Sequence, residues 1–116
     1  MSEVVIHHNP ACSKSRAALA LIREAGVEPT VVEYLQTGWS EAELGALLAR
    51  MQAAPADVLR AHEALAVELG LAEPGVSDAA ILTAMAAHPE LVERPIVVTP
   101  RGAALCRPPE RVLDLL

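Results

Sequence analysis

Val4-Val5-Ile6-His7-His8-Asn9-Pro10-Ala11-Cys12-Ser13-Lys14-Ser15-Arg16 carries the transition on which the rest of the chain turns. A short β-branched run reads as a buried strand, and Asn9-Pro10 ends it. From Ser13 the apolar residues fall at helical spacing, with Ala18, Leu19, Ile22 and Ala25 on one face. Cys12 therefore sits in the turn between a strand and a helix. Unpaired N–H groups and the positive end of the helix dipole would stabilise a thiolate there. Lys14 and Arg16 add positive charge, so the turn reads as a thiolate and oxyanion site.

Outward from this turn, the helix is expected over Ser13 to Ala25, with Gly26 as its C-terminal cap and Pro29 beyond it. The first strand is expected over Glu3 to His7 and a second over Thr30 to Leu35. Ser40 followed by Glu43 is a capping box for a second helix carrying Leu44, Leu47, Leu48 and Met51. A third helix is expected from after Pro55 to about Leu69, with Arg60 inside it, and Gly70 ends it. Ser77-Asp78 caps a fourth helix that stops at His88-Pro89. Pro95 to Thr99 reads as a third strand, Pro100-Arg101-Gly102 as a turn, and Ala103 to Cys106 as a fourth strand. Pro108-Pro109 opens a last helix. The order β-α-β, three helices, β-β, α predicts one α/β domain over 1–116, its βαβ half parallel and its hairpin antiparallel. A helical insertion of about 40–92 separates the halves.

Composition narrows the function. The 116 residues are 53% hydrophobic but only 2% aromatic, so the core must be aliphatic. A net charge of −6 argues against a nucleic-acid surface. No apolar stretch is long enough to span a membrane, and no signal peptide is visible. Two cysteines far apart make no disulfide framework, so a reducing, cytoplasmic setting is expected. Of the nine basic residues Lys14 is the one lysine; arginine suits bidentate oxyanion binding, although such a skew can also be compositional drift.

A lone cysteine is commonly a small buried hydrophobe. Cys12, among polar residues at a helix start, reads instead as reactive. Ser15 stands where a Cys-x-x-Cys motif would place a second sulfur, so a monothiol must hand its oxidised state to an outside thiol. His8 has two readings: a cation that lowers the thiol pKa, or a hydrogen-bonded strand end. His62 and His88 carry no pattern, and Cys106 reads as structural. No zinc spacing and no nucleotide P-loop is present. The Arg94-Pro95 bond is expected to be trans on general grounds.

Taken together, His8 to Arg16, Ser77-Asp78, His88-Pro89, Arg94-Pro95-Ile96-Val97-Val98-Thr99-Pro100 and Leu105-Cys106-Arg107-Pro108 resemble the glutaredoxin-coupled arsenate reductase family. The resemblance covers essentially the whole chain. It implies a thioredoxin-like fold: a mixed four-stranded sheet, with the helical insertion between the βαβ unit and the C-terminal ββα unit. It implies that Cys12 is the nucleophile, that His8 helps keep it ionised, and that Arg60, Arg94 and Arg107 bind the arsenic oxyanion. It also places Pro95 where such folds carry a cis-proline facing the active cysteine, reversing the general expectation for that bond. The implied substrate is arsenate, the co-substrate glutathione and the protein partner glutaredoxin, with no bound cofactor, no metal, no nucleic acid and no membrane. Ser13-Lys14 departs from the family's common Gly-Thr. After Arg60, His62-Glu63 and Ala66 stand where Lys-Glu and later Tyr are common. Two other readings follow from the same fold: a regulatory binding module contacting RNA polymerase, and a glutathione-dependent thiol reductase with another substrate.

Overall fold

Three residues of β1, Val5–His7, hold the sheet together because both of their edges are paired. The computed structural model describes residues 3–116. On one side β1 runs parallel to β2, Thr30–Val32; on the other it runs antiparallel to β3, Ile96–Thr99, which pairs with β4, Gly102–Leu105. The order β2-β1-β3-β4 is the expected mixed four-stranded sheet.

Between β1 and β2 runs α1, Ser13–Glu24. Gly26, at φ +86°, follows its end in the left-handed region that glycine enters without steric cost. Ile6 pairs with Val97 across the sheet, and both are fully buried. They join Val4, Ala18, Ile22, Cys106 and Val112 in one aliphatic core. The period-two alternation of the strands and the i, i+4 spacing of Ala18 and Ile22 aim these side chains at one another. A 3₁₀ helix, Pro109–Asp114, packs on α1 and closes this core.

Residues 3–37 and 94–116 make up this first compact unit; residues 38–93 make up a second. In the second, α3 (Glu41–Met51) begins at Ser40, whose Oγ accepts from the Glu43 N–H at 3.1 Å while Glu43 Oε1 accepts from the Ser40 N–H at 3.0 Å. The capping box is complete, as its spacing predicts. A 3₁₀ turn, Pro55–Val58, leads to the short helix α4, Ala64–Glu68. After it, α5 (Asp78–Ala87) packs against α3, against the first 3₁₀ turn and against a second one, Pro89–Leu91. The second unit buries Leu44, Leu48, Val58, Ala66, Leu71, Ile81, Met85, Leu91 and Val92.

Several expected boundaries shift. The second strand ends at Val32, and Tyr34–Thr37 forms the short helix α2 with Tyr34 fully buried. Tyr34 has β propensity, but burying its ring overrides a preference worth at most ~1 kcal/mol. The single helix expected after Pro55 is instead the 3₁₀ turn, an extended bridge of Leu59 to Val92, and α4. Arg60 therefore lies between the Leu59 bridge and α4, not on a helix. The last segment is 3₁₀ rather than α.

Candidate active site

The turn after β1 is built by short side chains that bond to local backbone. Asn9 Oδ1 accepts from the Ala11 N–H at 2.9 Å, and the Cys12 N–H donates to the Asn9 carbonyl at 3.0 Å. From the first turn of α1, Arg16 Nη1 donates to the Pro10 carbonyl at 2.8 Å. Ser15 is fully buried, and its Oγ accepts from the Asn9 N–H at 3.1 Å. Asn9 and Ser15 thus define the loop that presents Cys12.

Cys12 is the N-cap residue of α1 and is partly exposed. Burial pushes its thiol pKa up, but opposing effects win and bring it down to about 7 from an ordinary 9.0. The Arg94 side chain hydrogen-bonds the sulfur, and the backbone N–H groups of Ser15 and Lys14 donate to it. These are the helix-start donors that the sequence position implies. A sulfur of this kind is a nucleophile at neutral pH.

His8 Nδ1 lies 2.6 Å from Ser15 Oγ, and the residue is buried. Burial lowers its pKa; Glu33 opposes the shift, and Arg23 and Arg16 reinforce it. The ring is thus hydrogen-bonded at the strand end, and burial works against its cationic form. Which of the two donates follows the imidazole tautomer, and the Ser15 oxygen, with two lone pairs, accepts from the Asn9 N–H in either case.

Arg94 and Arg107 come together: Arg107 Nη1 donates to the Arg94 carbonyl at 2.9 Å. Each precedes a cis proline, Pro95 and Pro108. The first of these cis bonds is the one the family resemblance implies. The second carries no signal in the sequence beyond the proline itself.

Arg60 belongs to the second unit. Its backbone N–H donates to the Leu91 carbonyl at 2.8 Å, which fixes its place beside the Leu59–Val92 bridge. Its Nε and Nη2 each lie 3.1 Å from Glu63 Oε1, and its Nη1 lies 2.9 Å from Glu93 Oε1. The sequence marks the pair His62-Glu63 as a departure from the family pattern and gives neither glutamate a role. Glu63, three residues after Arg60, had a usable spacing; Glu93, 33 positions away, had none.

Cys106 is fully buried, and burial holds its thiol near pKa 11. Its Sγ donates weakly to the Ala104 carbonyl at 3.7 Å. Among the described residues no group of three or more His, Cys, Asp or Glu side chains could hold a metal ion. Nor is any helix among them long and apolar enough to cross a membrane.

The model of the ArsC family matches residues 7–115. A protein named arsenate reductase from Rhizobium meliloti is 51% identical over 113 residues, spanning 97% of this chain and 81% of that protein. Another arsenate reductase, from Escherichia coli, is 48% identical over 116 residues, spanning all of this chain and 82% of its own. Among solved structures, an arsenate reductase from Vibrio cholerae superposes with a TM-score of 0.93 at 46% identity, covering 97% of each chain.

Proposed function

This chain belongs to the ArsC family, and on that premise we infer that it is an arsenate reductase in which the Cys12 thiolate attacks arsenate. One observation carries the chemistry. The Cys12 sulfur takes hydrogen bonds from Arg94, Ser15 N–H and Lys14 N–H, and its pKa is about 7. Near neutrality about half of such thiols are ionised, against about a hundredth at the ordinary value.

In the reaction the Cys12 sulfur bonds to arsenic, and one arsenate oxygen leaves as water after protonation. Arg94, Arg107 and Arg60 neutralise charge on the remaining oxygens. Guanidinium suits this role, being permanently charged and planar. His8 acts through Ser15: its ring bonds the hydroxyl that holds Asn9, and so it keeps the loop that presents Cys12.

Reduction needs two electrons from sulfur. A glutathione thiolate attacks the Cys12 sulfur of the adduct, an S–S bond forms, and the S–As electron pair stays on arsenic. Arsenite then leaves with arsenic in the trivalent state. Glutaredoxin takes the glutathione sulfur from this mixed disulfide and releases the Cys12 thiolate. Ser15 at the position of a second cysteine is what calls for these outside thiols. A reducing compartment such as the cytoplasm suits such a protein, and one arsenate reductase-like domain with an insertion is its organisation.

The deciding experiment is arsenate reduction with glutathione and glutaredoxin, wild type beside Cys12→Ser. Activity in the wild type and none in the variant supports the reading. Persistent reduction by Cys12→Ser would overturn it.

A further inference from the structure

Every nitrogen of the Arg60 guanidinium touches a carboxylate. Nε and Nη2 face Glu63 Oε1, and Nη1 faces Glu93 Oε1. The formal charges sum to −1: one guanidinium against two carboxylates. These groups are not at a fully solvated surface, since the Arg60 and Glu93 side chains are 23% and 25% exposed. The three residues, with Leu59, Ala61 and His62, line a cleft of about 320 Å³ within the second unit. That is ample room for a tetrahedral oxyanion.

An arginine surrounded in this way is a poor receptor for a bare anion. An oxyanion reaching Arg60 must share its nitrogens with two like charges, and in a partly desolvated cleft that repulsion is weakly screened. The penalty changes if the anion brings a hydrogen-bond donor. An ionised carboxylate only accepts, and its two oxygens offer about four acceptor sites. An As–OH or P–OH group can donate to Glu63 or Glu93 while the neighbouring oxygen accepts from Arg60. At neutral pH arsenate and phosphate carry at least one such hydroxyl. Sulfate carries none.

We infer that Glu63 and Glu93 are specificity-determining residues that make the Arg60 cleft accept a hydroxyl-bearing tetrahedral oxyanion and refuse a fully ionised one. The inference rests on the reading of Arg60 as an oxyanion contact and adds to it the source of selectivity. A site that pairs with a substrate hydroxyl discriminates against ligands lacking it, because its acceptors are then left facing an anion.

The test is inhibition of arsenate reduction by sulfate and by phosphate, in wild type and in Glu93→Gln, Glu63→Gln and Glu93→Asp. In the wild type phosphate inhibits at lower concentration than sulfate. In Glu93→Gln and Glu63→Gln the ratio of sulfate Ki to phosphate Ki falls by about ten-fold, the low end for one charge-assisted hydrogen bond in a part-exposed site. Glu93→Asp retains the charge and keeps the wild-type ratio. A purely structural role in steadying Arg60 would weaken both inhibitors alike and leave the ratio unmoved; that result overturns the inference. Equal inhibition of the wild type by both anions overturns it too. Arg60→Ala separates the two levels. If it leaves the KM for arsenate unchanged, the reading of Arg60 itself fails. If it raises KM while the glutamate variants keep the wild-type ratio, only the selectivity inference fails. Should one of the two glutamine variants not express as folded protein, the ratio in the other decides, because each glutamate meets the Arg60 guanidinium through its own carboxylate.

Discussion

The guanidinium of Arg107 is bonded to the backbone carbonyl of Arg94, with Nη1 to O at 2.9 Å. Arg107 thus steadies the main chain of Arg94, and Arg94 in turn reaches the Cys12 sulfur. Arg107→Lys keeps a positive charge but replaces the planar fork by a flexible ammonium. We expect a rise of roughly ten-fold in the KM for arsenate, the low end for losing a charge-assisted hydrogen bond. Steady-state reduction kinetics check this. An unchanged KM would mean the bond has no part in presenting Arg94.

The thiolate itself has a pH signature. With a Cys12 pKa of about 7, alkylation by iodoacetamide should rise with pH along a curve whose midpoint lies near 7, not near 9.0. The lowered pKa also sets the sign of its stability effect. The contribution is fully present above the unfolded thiol's value and is lost as pH falls through about 7. In Arg94→Ala the largest stabilising partner is gone, so the midpoint should move upward. A midpoint near 9 in the wild type would remove the physical basis for the nucleophile.

Native protein should take up one alkyl group. Cys106 is fully buried with its thiol near pKa 11, so at pH 8 it is neither ionised nor reachable. Mass spectrometry should find the label on Cys12 alone until denaturant is added. Rapid double labelling under native conditions would contradict the buried environment of Cys106.

Ser15→Ala tests the loop. The substitution removes the oxygen shared by His8 Nδ1 and the Asn9 N–H, leaving both buried groups without that partner. A cost of about 1–3 kcal/mol is expected, read as a lower midpoint in urea unfolding at unchanged slope. Because the same oxygen holds the turn, the variant's alkylation midpoint should also rise. An unaltered urea midpoint would show that the two groups find other partners.

Much of the fold was legible because local rules and global packing agreed. The Ser40–Glu43 box, the Gly26 stop and the Val97 strand each follow from chemistry within a few residues. Tyr34 and the segment after Pro55 were misread because burial and a long-range bridge, Leu59 to Val92, outweighed propensity and period. The site divides the same way. Cys12 at a helix start is a local pattern, and the family resemblance singled out the arginines. The tie of Arg107 to Arg94, and Glu93 set against Arg60, join residues 13 and 33 positions apart. No window of sequence contains such pairs.

Ser15 has one further consequence, for how the protein answers its surroundings. A reductase with two neighbouring sulfurs can close on itself and wait, oxidised, for a reductant. Here the corresponding place holds a buried hydroxyl that cannot be oxidised. In the mechanism we propose, each cycle therefore ends with Cys12 tethered to a foreign sulfur, and the protein is out of use until a second protein frees it. Arsenate clearance in such a system keeps pace with the supply of small thiol, and starving the cell of it would stall the enzyme while its site remained intact.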